Sequence, residues 1–114
     1  MLTLLETSII DKIMVEYKDA LYAELRDNLK AVVLYGSCAR GDYEIGSDID
    51  VFVLVQNDKK ETKEAIHRIS HKFDLKYDTL IACTIRNVDF YTRYYQETLY
   101  QNIRREGRIF YGVA

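Results

Sequence analysis

Ala31-Val32-Val33-Leu34-Tyr35-Gly36-Ser37-Cys38-Ala39-Arg40-Gly41 leads, through a short polar stretch, into Ser47-Asp48-Ile49-Asp50-Val51-Phe52-Val53-Leu54-Val55. The first apolar run, Ala31 to Tyr35, predicts a strand buried on both faces and ended by Gly36. The second, Ile49 to Val55, is β-branched and aromatic and predicts another. On an extended strand residues i and i+2 share a face, so Asp48 and Asp50 project together while Ile49 turns into the core. Carboxylates held that close repel unless a cation sits between them, and hard oxygen donors at short spacing suit Mg²⁺ better than zinc or copper. Gly36 and Gly41 permit backbone shapes that a side chain forbids, and Ser37 offers a hydroxyl and an amide to an approaching phosphate. The chemistry suggested is phosphoryl transfer.

The remainder of the chain reads as scaffold for that segment. Ser8-Ile9-Ile10-Asp11 reads as a capping box, and Ile10, Met14, Tyr17, Leu21 and Leu25 follow at helical spacing, predicting an amphipathic helix to about Arg26. Gln56-Asn57-Asp58 closes the second strand and caps a helix marked by Ala65, Ile66, Ile69 and Phe73. Alternation from Tyr77 to Ile85 predicts a strand with Asp78, Leu80, Ala82 and Thr84 on one face. A last helix is predicted from about Asp89 to Arg105, ended by Gly107. Helix, strand, turn, strand, helix, strand, helix, without proline or repeat, predicts one compact α/β layer structure over residues 1–114.

A third carboxylate has two candidates. Asp78 heads the predicted strand, whereas Asp74 follows Phe73 at a helix-to-strand turn, where aspartate is ordinary turn chemistry, so Asp78 is preferred. Arg40, inside the glycine-flanked turn, is placed to contact a phosphate or to brace the aspartates. His67 and His71 lie four apart on a helix but lack a third ligand, and lysines and arginines around them mark a solvated face. Cys38 has no histidine partner to activate it. Ten tyrosines is a high count. The cluster Phe90-Tyr91-Thr92-Arg93-Tyr94-Tyr95, with Tyr100, Arg104 and Arg105, suits both packing on the sheet and a partner surface.

Composition excludes several classes. The 114 residues carry a net charge of -2 with 30% charged side chains of both signs, so no basic face grips nucleic acid directly. Two cysteines, Cys38 and Cys83, make neither a disulfide scaffold nor a zinc motif, which fits a reducing cytoplasm. No run of membrane-spanning length and no leader pattern is present in the sequence, so a membrane role is not expected.

The segment Gly36-Ser37-Cys38-Ala39-Arg40-Gly41 followed by Ser47-Asp48-Ile49-Asp50-Val51 resembles the signature of the DNA polymerase beta superfamily, in the form called minimal nucleotidyltransferases. The ending Asn102-Ile103-Arg104-Arg105-Glu106-Gly107 is similar to theirs too. The resemblance implies a nucleotidyltransferase fold, with a small mixed β-sheet flanked by helices. It implies two Mg²⁺ ions held by Asp48, Asp50 and Asp78 (or Asp74), and ATP held at Gly36, Ser37, Arg40 and Ser47. Minimal nucleotidyltransferases are similar to the antitoxin half of modules whose other half is a HEPN-domain ribonuclease toxin, and some adenylylate a toxin tyrosine. The resemblance therefore implies a hetero-oligomeric partner of that kind, as in a type VII-like module. A small-molecule nucleotidyltransferase and a non-catalytic antitoxin acting by occlusion are the alternatives.

Overall fold

The computed structural model describes residues 4–42 and 46–112. Helix α1 (Leu4–Leu25) leads through a single 3-10 turn into strand β1 (Leu29–Tyr35), and a four-residue helix α2 (Ser37–Arg40) follows. Then come β2 (Ile49–Val55), α3 (Lys60–Tyr77), β3 (Ile81–Asn87), α4 (Val88–Arg93), α5 (Thr98–Glu106) and β4 (Arg108–Gly112). The strands form one mixed sheet in the order β3-β2-β1-β4. β1 runs antiparallel to both β2 and β4, and β2 runs parallel to β3. A parallel pair needs a crossover connection, and α3 supplies it.

The burial of the sheet explains why β1 and β2 are almost continuously apolar. One face carries Val32, Leu34, Val51, Val53 and Ile81 against Ile10, Ile13, Met14, Tyr17 and Leu21 of α1 and Ile66 and Ile69 of α3. The other face carries Ala31, Val33, Phe52 and Leu54 against Tyr91 of α4 and Tyr100 and Ile103 of α5. Strands covered on both sides lose the polar alternation that a half-exposed strand shows.

The fold departs from the sequence expectations at three places. Helix α1 begins at Leu4, so the Ser8 to Asp11 box lies within it rather than at its start. The last helix is two: α4 and α5 are separated by a turn in which the Glu97 N–H donates to the Tyr94 carbonyl at 2.9 Å. Most consequential, α3 continues through Tyr77, and Asp78 is its C-cap in the left-handed conformation, φ 50° and ψ 54°. Strand β3 therefore starts at Ile81, not Tyr77. The helix persists because Phe73 and Tyr77 are four apart and both meet α1. Phe73 packs edge-on against Tyr17 with ring centroids 5.5 Å apart, and the Tyr77 hydroxyl donates to Glu16 at 2.7 Å. Among the described residues no helix is long and apolar enough to cross a membrane.

A buried polar knot ties α1, α3 and β3 together. The Tyr17 hydroxyl lies 2.7 Å from Ser70 Oγ and 2.8 Å from Cys83 Sγ, while Ser70 donates to the Ile66 carbonyl at 2.9 Å. Burial, reinforced by Cys83, pushes the Tyr17 phenol far above its ordinary range, so it remains a neutral donor. Tyr17→Phe removes that donor, so that Ser70 keeps only Ile66 and Cys83, and Cys83 keeps only Ser70 at 3.4 Å. Urea unfolding is expected to show a loss of about 1–3 kcal/mol with an unchanged m-value.

Candidate active site

Strand β1 ends where β2 begins, because the two are antiparallel, and this brings the two halves of the motif face to face. Tyr35 is the cross-strand partner of Asp50. Gly36 then takes φ 73° and ψ -154°, a conformation essentially restricted to glycine. A side chain there is also excluded by space. A Cβ on Gly36 would overlap Asp50 Oδ2 and lie 3.2 Å from its Cγ. The bare glycine thus lets the Asp50 carboxylate rest against the turn. Gly41, at φ 83°, closes α2 in the left-handed conformation, its N–H donating to the Ser37 carbonyl at 3.0 Å.

Asp48 is exposed and Asp50 half-buried, and strand alternation sets them on one face, with Phe52 and Leu54 continuing that row into the core. Burial, then the charge of Asp48, holds the Asp50 carboxyl above its usual range, and Arg40 opposes both. A pair of acids in which one raises the other is the arrangement a divalent cation relieves. Cys38 is not part of the chemistry. It is buried in the core beneath α2, its Sγ 3.7 Å from the Asp48 carbonyl, and burial and Asp50 push its thiol up to about 11. At neutral pH it is a thiol, not a thiolate.

Arg40 is an exposed strap rather than a direct brace on the aspartates. Its Nη1 donates to Glu106 Oε2 at 3.1 Å and its Nε to Asp42 Oδ2 at 3.3 Å, joining the turn to the end of α5. Ser37 opens α2 directly after Gly36, and Ser47 directly precedes Asp48. Glu106 was not singled out from sequence. Its only signal is that it lies in the terminal segment that repeats the family's ending.

Neither third-acid candidate stands on β3. Asp78 is exposed at the end of α3, and Asp74 accepts the Ile81 N–H at 2.7 Å, pinning the start of the strand. The β3 residue paired with Asp50 is Ala82. Among the described residues no group of three or more His, Cys, Asp or Glu is gathered to hold a metal. His67 and His71 are both exposed.

The tyrosine- and arginine-rich segment is divided between core and surface. Tyr91 and Tyr100 are buried against Phe52, at centroid distances of 5.5 and 6.0 Å. Arg104 donates to the Tyr91 hydroxyl and the Tyr95 carbonyl and stacks over the Tyr95 ring at 3.6 Å, while Arg86 donates to the Tyr100 hydroxyl. These arginines fasten α4 and α5 to the sheet. Phe90, Tyr94, Tyr95 and Leu99 remain exposed.

Residues 16–111, which span the turn, the aspartate pair and all of the sheet but its last residue, match the family described as Nucleotidyltransferase domain. This chain belongs to that family. Over 89 residues, 77% of the chain and 90% of the relative, it is 38% identical to "Putative protein adenylyltransferase MJ0141" of Methanocaldococcus jannaschii. A second protein of that organism, "Putative protein adenylyltransferase MJ0604", is 29% identical over 89% of this nucleotidyltransferase and 97% of its own length. Two solved structures share the fold. One is a toxin-antitoxin complex with AMP-PNP, with TM-score 0.61 and 21% identity over 87% of this chain and 73% of that one. The other, described as a "putative nucleotidyltransferase" from Sulfolobus solfataricus, has TM-score 0.61 and 20% identity over 95% and 86%. The mixed sheet flanked by helices is therefore the nucleotidyltransferase fold expected from the motif.

Proposed function

We propose that this nucleotidyltransferase transfers AMP from ATP to a hydroxyl side chain of a partner protein, and that the partner is a HEPN-domain toxin for which it acts as antitoxin. The observation that carries the reading is the Asp48–Asp50 pair set against the Gly36 turn, where the Asp50 carboxylate rests on a bare glycine at adjoining strand ends. Its similarity to two proteins named as protein adenylyltransferases supports a protein acceptor. The shared fold with a toxin-antitoxin complex holding AMP-PNP supports the pairing and the nucleotide.

The donor set fits Mg²⁺, since carboxylate oxygens that repel each other match a hard divalent ion. Asp48 and Asp50 would hold it, and it would supply charge neutralisation at the phosphates. The chain's own part is positional. Gly36 lets the Asp50 carboxylate rest against the turn, Ser37 and Ser47 would border the triphosphate, and Arg40, paired with Asp42 and Glu106, holds the turn in place at the rim. In the transfer the acceptor oxygen bonds to the α-phosphorus, the bond to the bridging oxygen breaks, pyrophosphate leaves with that electron pair, and the acceptor proton passes to water.

Co-expression with a HEPN-domain protein encoded beside it, where one is found, followed by intact-mass spectrometry, tests the reading. The partner is expected to gain the mass of AMP. A co-purifying partner that stays unmodified, with toxicity still suppressed by the Asp50→Asn variant, would replace catalysis by occlusion. Since Asp78 caps α3 instead of heading β3, Asp78→Asn is expected to keep transfer within about threefold of wild type, against the large losses typical of a lost metal ligand. A loss as deep as that of Asp50→Asn would restore Asp78 to the metal site.

A further inference from the structure

We propose that the acceptor hydroxyl reaches the α-phosphate across the outer edge of β3, over Ala82, and that the Tyr35–Thr84 hydroxyl pair positions it there. The inference rests on the AMP-transfer reading above and names the side of the site on which the acceptor docks.

Phosphoryl transfer places attacking and leaving oxygens roughly in line through phosphorus. The Gly36–Ser37 turn, proposed to border the triphosphate, lies on the β1 side of Asp50, so the leaving pyrophosphate is taken to lie there. The attacking oxygen must then come from the opposite side, which is β3. Three features make that side passable. β3 is an edge strand, with no strand paired beyond it among the described residues. The residue next to Asp50 is Ala82, which is half-buried and presents only a methyl group. Leu80, one step before it on the same face, is 53% exposed.

The inner wall of this approach is polar where the rest of the row is apolar. Tyr35 packs with the Phe52 cluster, so its ring lies on Asp50's face of the sheet. Its hydroxyl meets Thr84 Oγ1 at 3.0 Å, on the far side of β2. The phenol thus crosses β2 between Asp50 and Phe52, and separates the carboxylate from the core. Two hydroxyls that share one hydrogen bond keep a second O–H to donate. That donor stands beside Ala82, where an acceptor oxygen would rest.

The test uses N-acetyl-tyrosine amide as acceptor, AMP-PNP with Mg²⁺ for nucleotide binding by calorimetry, and ATP with Mg²⁺ for transfer followed by mass spectrometry. Ala82→Leu fills the approach, and the milder Ala82→Val serves if the leucine variant melts early. Either is expected to lower labelling of the tyrosine amide by about tenfold or more, mainly through KM for the acceptor, with AMP-PNP affinity within about twofold of wild type. Thr84→Val is expected to lower kcat with nucleotide affinity kept. Unchanged labelling in the Ala82 variants overturns the proposal, as does a wild-type protein that binds AMP-PNP yet leaves the amide unlabelled. A wild-type protein that fails to bind AMP-PNP and Mg²⁺ overturns the AMP-transfer reading itself.

Discussion

Asp50→Asn is expected to lower AMP transfer by about a thousandfold or more, the loss that follows when roughly 4 kcal/mol of metal-borne charge stabilisation is removed from the transition state. Its metal-free melting temperature is expected to stay at or slightly above wild type. The direction follows from the carboxyl's surroundings. Burial and Asp48 raise the folded pKa of Asp50, so the protonated form is the one the fold favours. The stability this lends is fully present below the ordinary carboxylate range and is lost as pH rises through the raised folded value. Near neutrality the ionised Asp50 therefore works against the metal-free fold, and asparagine removes the charge while keeping the shape. Mg²⁺ with ATP should raise the melting temperature of wild type and not of the variant, because only binding to the folded state stabilises it. Labelled-ATP transfer and thermal melts with and without Mg²⁺ give both readouts. A variant that unfolds, or that answers to Mg²⁺ as wild type does, would make the pair structural.

The elements nearest the site were the most legible in the sequence, for a physical reason. Strand β2 occupies Ile49–Val55, the run that its β-branched and aromatic residues predict, since a strand covered on both faces admits almost nothing else. The mixed sheet followed from the motif's resemblance, and the structure carries it. What could not be read was set by contacts between distant segments. The stretch from Tyr77 to Ile85 alternates as a strand would, yet Tyr77 ends a helix because Glu16 and the Phe73 ring hold it there, 61 residues away along the chain in the case of Glu16. That single shift moves Asp78 from a strand to a left-handed cap and leaves Ala82 beside Asp50. The split of the last helix is of the same kind. Tyr91 and Tyr100 must both reach Phe52 from one side, which a straight helix through residues 94–97 does not allow while Arg104 clasps Tyr95. Local periodicity carries no information about either constraint.

Gly36→Ala should damage both fold and chemistry, and more than any other single methyl added near the site. The conformation alone costs an alanine about 1–3 kcal/mol, since φ 73° with ψ -154° belongs to glycine. The new methyl also overlaps the Asp50 carboxylate, whose Cγ and Cβ stand only 3.2 and 3.3 Å from it. Two relaxations are open. The turn can move, which pulls the start of α2 and with it buried Cys38 out of the core beneath Asp48. Alternatively Asp50 can swing away, which parts it from Asp48 and dissolves the acid pair. A reacting centre misplaced by about an ångström loses on the order of a hundredfold in rate. Transfer is therefore expected to fall at least that far, with a lower melting temperature than wild type, the reverse of the stability effect expected for Asp50→Asn. The double variant Gly36→Ala with Asp50→Gly separates the two costs, because it removes the carboxylate that the methyl meets but leaves the backbone strain. Partial recovery of the melting temperature without recovery of transfer is the expected result. A Gly36→Ala protein that melts and transfers like wild type would mean that the turn and Asp50 do not meet in solution, and the site built from their contact would fall with it.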